Sequence, residues 1–104
     1  MLKSIFKMLF GSSNSINLKE IIQQGAFLVD VRTPNEFASG HVPGSVNIPL
    51  DTIRNQLHKF KNKKNIIVFC RSGNRSSMAK QILEKNGIQP VYNGGTWQQV
   101  KSSL

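Results

Sequence analysis

The chain has 104 residues, 38% of them hydrophobic, which is enough for one domain with a modest core but not for two. Fourteen Lys and Arg against five Asp and Glu give a net charge of +9, which favours anionic ligands, acidic partner surfaces or nucleic acid without choosing among them. One cysteine excludes an intramolecular disulfide, so a secreted, disulfide-stapled fold is not indicated and a cytoplasmic location is expected.

The amino-terminal stretch is predicted to precede the folded domain. Residues 1–10 read MLKSIFKMLF, where Lys7 interrupts the apolar run, and no A-x-A cleavage pattern follows. A membrane-spanning helix needs about 20 apolar residues, so no membrane span is expected. We predict that residues 1–15 form a lead-in that packs on the domain or frays, with weak contact to a membrane surface left as an alternative, and that the domain covers 16–104.

The domain is predicted to begin with a short helix and a buried strand. Glu20 lies three residues after Asn17, which is the spacing of a helix N-cap with a reciprocal glutamate, and Gly25 ends the helix. The run AFLVDV at 26–31 is short and almost wholly apolar, which predicts a buried strand. Its one acid, Asp30, lies near the carboxyl end of the strand and requires a partner there.

Two helices and a short strand are predicted next. The capping pattern at 33–36 has proline at the first helical position and predicts a short helix that Gly40 stops. The stretch GHVPGSVNIPL then reads as a turn, a short strand and a second turn. Asp51 is predicted to cap a helix over 51–60, because apolar residues recur there at helical spacing.

The second half is predicted to contain a strand at 66–69 and a helix over 76–86 with Met78, Ile82 and Leu83 on one side. A last short strand follows in IQPVYN, and GGTWQQV begins a terminal helix or turn with Trp97 as an anchor. Strands therefore alternate with helices throughout. This alternation predicts an α/β domain with a mainly parallel sheet of about five strands and helices on both faces, in which ligands bind beyond the carboxyl ends of the strands.

The stretch VFCRSGNRS at 68–76 places the only cysteine at such a strand end. A free thiol has a pKa near ~8.5, which falls to roughly 3.5–7.5 at helix N-termini or beside cations. Gly73 lets the backbone curl so that N–H groups point inward, and the helix that follows adds its positive dipole end. Arg71 and Arg75 add full charges. The stretch predicts an anion cradle around a nucleophilic Cys70.

A small buried hydrophobe is the ordinary alternative for a lone cysteine after an apolar strand. A core cysteine, however, does not need a glycine, two arginines and several small polar residues directly after it, so the cradle is favoured. His41 and His58 have no second cysteine or carboxylate cluster at metal-ligand spacing. We therefore expect no metal site and no cofactor.

Four stretches show a recognisable pattern. They are LVDVRTPNEFASGHVPGSVNIP at 28–49, IIVFCRSGNRS at 66–76, LEKNGI at 83–88 and YNGGTWQQV at 92–100. With these stretches the chain resembles a single-domain rhodanese, a sulfurtransferase module, over roughly 16–100. The four stretches together are specific, whereas a cysteine followed by a glycine three residues later is a weak signal alone.

The resemblance implies a ping-pong sulfur transfer. Cys70 would attack the outer sulfur of an anionic donor such as thiosulfate, release sulfite and hold a persulfide that cyanide or a thiol then removes. Asp30 and Arg32 match the acid–arginine pair that supports the loop from a neighbouring strand end in this family, and Arg71 and Arg75 are the expected oxyanion contacts. The resemblance assigns the active-site loop to Arg71, Ser72, Gly73, Asn74, Arg75 and Ser76.

Loop length separates this chemistry from its nearest rival. Four residues lie between Cys70 and Arg75, whereas the related cysteine phosphatases and arsenate reductases use five, which widens the ring for a tetrahedral oxyanion. A catalytically idle rhodanese-like module is disfavoured because such modules usually lack the cysteine. A persulfide relay to a partner protein is left as an alternative within the same chemistry.

The charge pattern narrows the expected partners. The densest basic cluster, HKFKNKK at 58–64, has no interleaved aromatic beyond Phe60 and is typical of a solvated lysine loop, so nucleic acid is not an expected partner. The lysines would steer anionic donors through a general field. The expected partners are an anionic sulfur donor and a thiol or protein acceptor, and the oligomeric state is left open.

Overall fold

The computed structural model of the chain describes residues 17–104. In this part helices and strands alternate, as predicted. Their order is α1 (Leu18–Gln23), β1 (Phe27–Asp30), α2 (Pro34–Ala38), β2 (Val46–Asn47), two 3-10 segments (Leu50–Asn55 and Leu57–Phe60), β3 (Ile66–Cys70), α3 (Asn74–Lys85), β4 (Val91–Thr96) and α4 (Trp97–Ser102).

The lead-in predicted for residues 1–15 lies outside the described residues. Within 17–104 no helix is both long and apolar enough to cross a bilayer.

The four strands form one parallel sheet in the order β2-β1-β3-β4. The predicted α/β class and parallel sheet are confirmed, although the described residues contain four strands rather than about five. Asp30 at the end of β1 pairs in register with Asn47 on one side and Phe69 on the other. Cys70 at the end of β3 pairs with Thr96 of β4. The carboxyl ends of all four strands therefore meet at one edge, where the site lies.

The central strand β3 packs on both faces of the sheet. Ile66, Val68 and Cys70 join a cluster with residues of α3 and the 3-10 segments. Ile67 and Phe69 point the other way, into a cluster with residues of α1 and α4. This alternation follows from the two-residue period of a strand. All five residues are buried, and the prediction of helices on both faces is confirmed.

The helix predicted over 51–60 is wrong in type. The chain forms two short 3-10 segments there, with i to i+3 hydrogen bonds such as that from the N–H of Thr52 to the carbonyl of Pro49. Gln56 lies between them at φ −128° and ψ 25°, outside helical geometry, and breaks the segment in two. The side chain of Asp51 makes no cap hydrogen bond. The apolar spacing that suggested a helix still buries Ile53 and Phe60.

Helix α3 also differs from its prediction. It begins at Asn74, with Gly73 as its N-cap, rather than near Ser76. Its buried residues are Ser76, Ala79, Ile82 and Leu83, which recur at three- and four-residue spacing. Met78 falls between these positions and is 55% exposed, so its predicted place on the core side is wrong.

The last strand lies further along the chain than predicted. It covers Val91–Thr96 rather than 88–93. Pro90 has no amide hydrogen for a strand ladder, and only its carbonyl takes part in pairing, as the acceptor of the N–H of Ile66. The shift adds Gly94, Gly95 and Thr96 to β4 beside the end of β3.

Candidate active site

The loop after β3 wraps around the sulfur of Cys70. Gly73 has φ 97°, a left-handed conformation that glycine adopts without strain, and this turns the backbone back toward the strand end. Its amide N–H donates to the Cys70 Sγ over 3.0 Å, and the Ser76 Oγ lies 3.4 Å from the same sulfur. The Cys70 residue as a whole has no exposed surface. The predicted curl of the loop around the sulfur is therefore present.

The environment of Cys70 favours its thiolate. Burial alone would raise the pKa of the thiol, because a charged sulfur loses hydration. The Ser76 hydroxyl, whose single proton can turn to the sulfur when the sulfur is charged, and the backbone N–H groups of Ser76, Ser72 and Gly73 outweigh this effect and lower the pKa of the thiol below its ordinary value. The sulfur is thus buried and still stabilised as an anion, and a lowered pKa is the property that distinguishes a reactive thiol from an inert buried one.

Ser76 is held in place by Asn93 of β4. The Ser76 hydroxyl lies 2.7 Å from the Asn93 Oδ1 and 3.1 Å from the carbonyl of Gly73. Asn93 also donates from Nδ2 to the Gly73 carbonyl and accepts the N–H of Gly95. One amide side chain thus fixes both the turn of the loop and the hydroxyl beside the sulfur.

An irregularity in β4 directs Asn93 to the loop. Val68 pairs with Asn93 but Phe69 pairs with Gly95, so Gly94 is an extra residue at this point of the ladder. A Cβ at Gly94 would lie 2.8 Å from a methyl of Val100 and 2.9 Å from a methyl of Ile67. Only glycine fits between the sheet and α4, and this close approach lets the strand bend toward the loop.

The two loop arginines have different surroundings. Arg71 is exposed, and within residues 17–104 it forms no ion pair. Arg75 instead donates from both terminal nitrogens to Glu36 of α2, with Nη1 to Oε1 at 2.7 Å and Nη2 to Oε2 at 3.1 Å. The sequence predicted an oxyanion contact for Arg75 but gave no sign of its pairing with Glu36.

The carboxylate of Glu36 accepts hydrogen bonds from two different segments. It accepts the N–H of Thr33 and closes the capping box of α2, as the sequence predicted, and it also binds Arg75. The hydrogen bond from Arg75, helped by the N–H of Thr33, lowers the pKa of Glu36 from 4.5 to about 2. Glu36 is thus a carboxylate over the whole neutral and mildly acid range.

Asp30 and Arg32 form the buried acid–arginine pair that the sequence predicted at a neighbouring strand end. Arg32 donates from Nη2 to the Asp30 Oδ2 at 2.7 Å and from Nε to both carboxylate oxygens at 2.9 Å. Arg32 also donates to the carbonyl of Gly40 at 2.7 Å, and its guanidinium lies 4.8 Å from the ring centre of Trp97. Within the described residues these side chains have no hydrogen bond to loop 71–76. The pair instead fixes the turn at Gly40 and the start of α4.

A surface groove of about 350 Å³ lies beside the Cys70 loop. Seven residues line it, and they come from the β1–α2 segment, the loop and α4. They are Arg32, Asn35, Glu36, Ser39, Arg71, Trp97 and Gln98. Arg71, which directly follows Cys70, brings the loop to the wall of the groove, whereas the buried Cys70 does not line it. Trp97, predicted as a core anchor, also forms part of this wall.

The family model of the rhodanese-like domain matches residues 16–101, most of the chain. The chain belongs to the rhodanese-like domain family.

Three curated relatives show the range of this rhodanese-like domain. The uncharacterized protein YqhL of Bacillus subtilis is 41% identical over 65% of this chain and 54% of its own length. The putative sulfur carrier protein YrkF of Bacillus subtilis is 32% identical over 85% of this chain and 42% of its own length. The thiosulfate sulfurtransferase PspE of Escherichia coli is 36% identical over 64% of this chain and 66% of its own length. The chain thus spans about two fifths to two thirds of the length of these relatives.

Two solved structures are similar in fold. A protein from Staphylococcus saprophyticus has a TM-score of 0.69 and 36% identity, covering 80% of this chain and 85% of that one. A rhodanese with anions from Escherichia coli has a TM-score of 0.65 and 32% identity, covering 72% of this chain and 91% of that one. The fold of the rhodanese-like domain is therefore shared with structures that retain substantial sequence identity.

No group of side chains within residues 17–104 is arranged to hold a metal ion. The His41 Nδ1–H donates to the Phe37 carbonyl over 2.9 Å, and the imidazole ring stacks on that of Phe37 with centroids 3.9 Å apart. Its surroundings are those of a turn residue.

Sequence reasoning missed two residues that contact the loop. The sequence pattern places Asn93 only in the last strand and Glu36 only in a helix cap. For Asn93 a signal existed, since a polar residue directly before two glycines at the end of a strand marks a bend toward a site. For the bond from Glu36 to Arg75, which joins residues 39 apart in the chain, the sequence offers no local signal.

Proposed function

We propose that this rhodanese-like domain moves a sulfane sulfur from an anionic donor such as thiosulfate to a thiophilic acceptor through a persulfide on Cys70. One observation supports this most directly. The Cys70 sulfur receives the Gly73 N–H at 3.0 Å inside a tight loop that lowers the pKa of the thiol. A sulfur anion at the centre of donated N–H groups is what each covalent state of a sulfur transfer requires.

The reaction consists of two balanced displacements. In the first, the Cys70 thiolate attacks the outer sulfur of thiosulfate, the new S–S bond forms, and the old one breaks with its electron pair leaving on sulfite. In the second, an acceptor such as cyanide attacks the outer persulfide sulfur and leaves as thiocyanate, and the Cys70 thiolate is restored. No proton, oxidant or metal is needed in either step, so the loop only has to hold the anionic sulfur and exclude water.

The loop residues and the residues that hold the loop and the groove have distinct roles in this proposal. The backbone N–H groups of Ser72, Gly73 and Ser76 stabilise the anionic sulfur. Arg71, which is exposed and forms no ion pair within 17–104, binds the oxyanion end of the donor. Asn93 holds Ser76 in position, and the Ser76 hydroxyl lies beside the sulfur. The Asp30–Arg32 pair acts indirectly, because it holds the Gly40 turn and Trp97, which form the groove wall.

The direct test is an intact mass measured after exposure to thiosulfate. We expect one added sulfur atom, removed again by cyanide with formation of thiocyanate. Cys70 is the only cysteine, so Cys70→Ser is a clean control that should add no sulfur and produce no thiocyanate, since a hydroxyl is too weak an acid to replace the thiolate. A catalytically idle interaction module would leave the mass of the native chain unchanged.

A persulfide relay to a protein acceptor is the second candidate. The groove of about 350 Å³ is larger than the small thiosulfate ion needs, and one relative is named as a putative sulfur carrier protein. The persulfide form of the chain, freed of excess thiosulfate, separates the two readings. A relay predicts faster loss of the sulfur to a protein thiol than to the same concentration of cyanide or a small thiol.

Both readings require a reduced Cys70. We therefore propose a reducing compartment, such as the cytoplasm, because oxidation of this thiol would remove the nucleophile.

A further inference from the structure

The carboxylate of Glu36 pairs with both terminal nitrogens of the Arg75 guanidinium. The two terminal nitrogens of Arg75 face the two carboxylate oxygens of Glu36 at 2.7 and 3.1 Å, a parallel bidentate pair. This is the arrangement in which a guanidinium recognises an oxyanion. A carboxylate of the protein therefore takes the position that a sulfate or phosphate would take on Arg75.

The position of Glu36 relates this pair to the groove. Glu36 and Arg71 line the same groove beside the Cys70 loop. Arg32 lines it too, but is paired with Asp30. Of the three arginines around the loop, Arg32 and Arg75 are thus neutralised by carboxylates, while Arg71 forms no ion pair within 17–104.

Arg75 itself lies within electrostatic range of the sulfur. The hydrogen bond with Glu36 raises the pKa of Arg75, burial opposes this, and the charges of Glu36, Cys70 and Asp30 add to it. Arg75 is also the second residue of α3, and it lies two residues after Gly73, whose N–H donates to the sulfur. Arg75 does not line the groove itself, but its partner Glu36 does, so a neutral Glu36 would release a second guanidinium next to the groove that Arg71 lines.

We propose that Glu36 is a specificity-determining residue that keeps a latent oxyanion site, formed by Arg71 and Arg75, closed. Sulfite is a dianion that must leave the loop after sulfur transfer, and ambient sulfate and phosphate resemble it. A loop with one free guanidinium binds these ions weakly, whereas a loop with two would retain them and block Cys70. The inference concerns the proposed sulfur-transfer site, but anion binding can be measured without turnover.

The test is the affinity of the reduced protein for inorganic sulfate, measured by NMR titration in chloride buffer at constant ionic strength. Glu36→Gln is the informative change because glutamine keeps the capping box of α2 while removing the charge and placing an amide NH₂ opposite Arg75. We expect sulfate to bind Glu36→Gln about tenfold more tightly than the native chain, the scale of one charge-assisted bond.

Two controls isolate the mechanism. Glu84→Gln removes an equal charge from the far end of α3, where Glu84 is exposed, and should leave sulfate affinity near the native value. Adding Arg75→Met to Glu36→Gln should abolish the gain. Weaker sulfate binding by Glu36→Gln would overturn the inference, because Glu36 would then be positioning Arg75 to bind anions. A gain that survives the loss of Arg75, or that Glu84→Gln reproduces, would overturn it too.

The outcome is independent of the sulfur-transfer assay. Tighter sulfate binding in a chain that takes no sulfur from thiosulfate would retain this inference and reject the proposed function. Sulfur transfer by the native chain, together with an unchanged sulfate affinity in Glu36→Gln, would retain the proposed function and reject this inference.

Discussion

The amide of Gly73, the N-cap of α3, donates to the sulfur of Cys70 over 3.0 Å. The same left-handed turn therefore supplies the hydrogen bond to the sulfur and sets the direction of the helix whose dipole points at it. The local backbone, rather than a neighbouring charged side chain, provides much of the stabilisation of the thiolate. Ser76 adds the only side-chain hydroxyl within hydrogen-bond distance of this sulfur in the described residues.

We predict that Ser76→Ala raises the pKa of Cys70. Burial continues to disfavour the thiolate, while the largest of the hydrogen bonds that favour it is lost. In the native chain the rate of alkylation by iodoacetamide should level off at a lower pH than for an ordinary thiol, because the thiolate forms earlier. In Ser76→Ala the midpoint of this pH profile should move upward. Ser77→Ala, at an exposed neighbouring position, should leave the midpoint unchanged, and an equal shift in both variants would contradict the assignment.

Glu36 gives a separate prediction about acid stability. Its pKa is lowered in the folded chain, to about 2 from 4.5, so its pairing with Arg75 contributes stability that is complete above about pH 4.5 and lost as the pH falls toward about 2. Both side chains are about one third exposed, so we expect only about 1 kcal/mol from this pair. Urea unfolding across that pH range should show a smaller loss for Glu36→Gln than for the native chain. Parallel pH profiles for the two proteins would show that the pair has no effect on stability.

The buried pair of Asp30 and Arg32 should matter far more for stability. Arg32→Ala would leave a fully buried carboxylate without its counter-ion, and removing one partner of such a pair costs about 3–5 kcal/mol. Chemical unfolding measures this loss. Arg54→Ala is the matched control, because Arg54 is exposed and forms no ion pair within 17–104, and it should change stability by less than about 0.5 kcal/mol.

A paired replacement tests the interpretation further. Asp30→Leu combined with Arg32→Met removes both charges and should recover part of the stability lost in Arg32→Ala, since two apolar side chains avoid the cost of a buried unpaired charge. A double variant as unstable as Arg32→Ala would show that the bond to Gly40 and the contact with Trp97, rather than the charge, hold the turn.

The sequence predicted the parts of this molecule that local patterns determine. The alternation of apolar strands and capped helices predicted the parallel sheet, and the glycine after Cys70 predicted the turn that donates to its sulfur. The capping box at Thr33 and Glu36 was also correct. Each of these depends on residues within a few positions of one another.

The missed features depend on contacts between distant segments. The pairing of Arg75 with Glu36 requires that α2 and α3 begin at the same edge of the sheet, which no local pattern states. Asn93 reaches the loop only because Gly94 is an extra residue in the ladder. The change from a helix to two 3-10 segments before β3 has no local signal either, because the spacing of Ile53 and Phe60, which the 3-10 segments bury, suits a helix equally well.

The final prediction is that loop length sets the chemistry of this site. The segment CRSGNR has four residues between Cys70 and Arg75, and its turn already brings the Gly73 N–H to the sulfur. A phosphate, with oxygens spread around a central atom, would collide with so small a ring. Hydrolysis of an aryl phosphate should therefore be absent from the native chain, while thiosulfate supports thiocyanate formation. One residue inserted between Gly73 and Arg75 should slow sulfur transfer on the order of a hundredfold, because a cradle displaced by about 1 Å loses its alignment with the sulfur. Turnover of the aryl phosphate by the native chain, lost in Cys70→Ser and competed by vanadate, would contradict the sulfurtransferase proposal and favour a cysteine phosphatase.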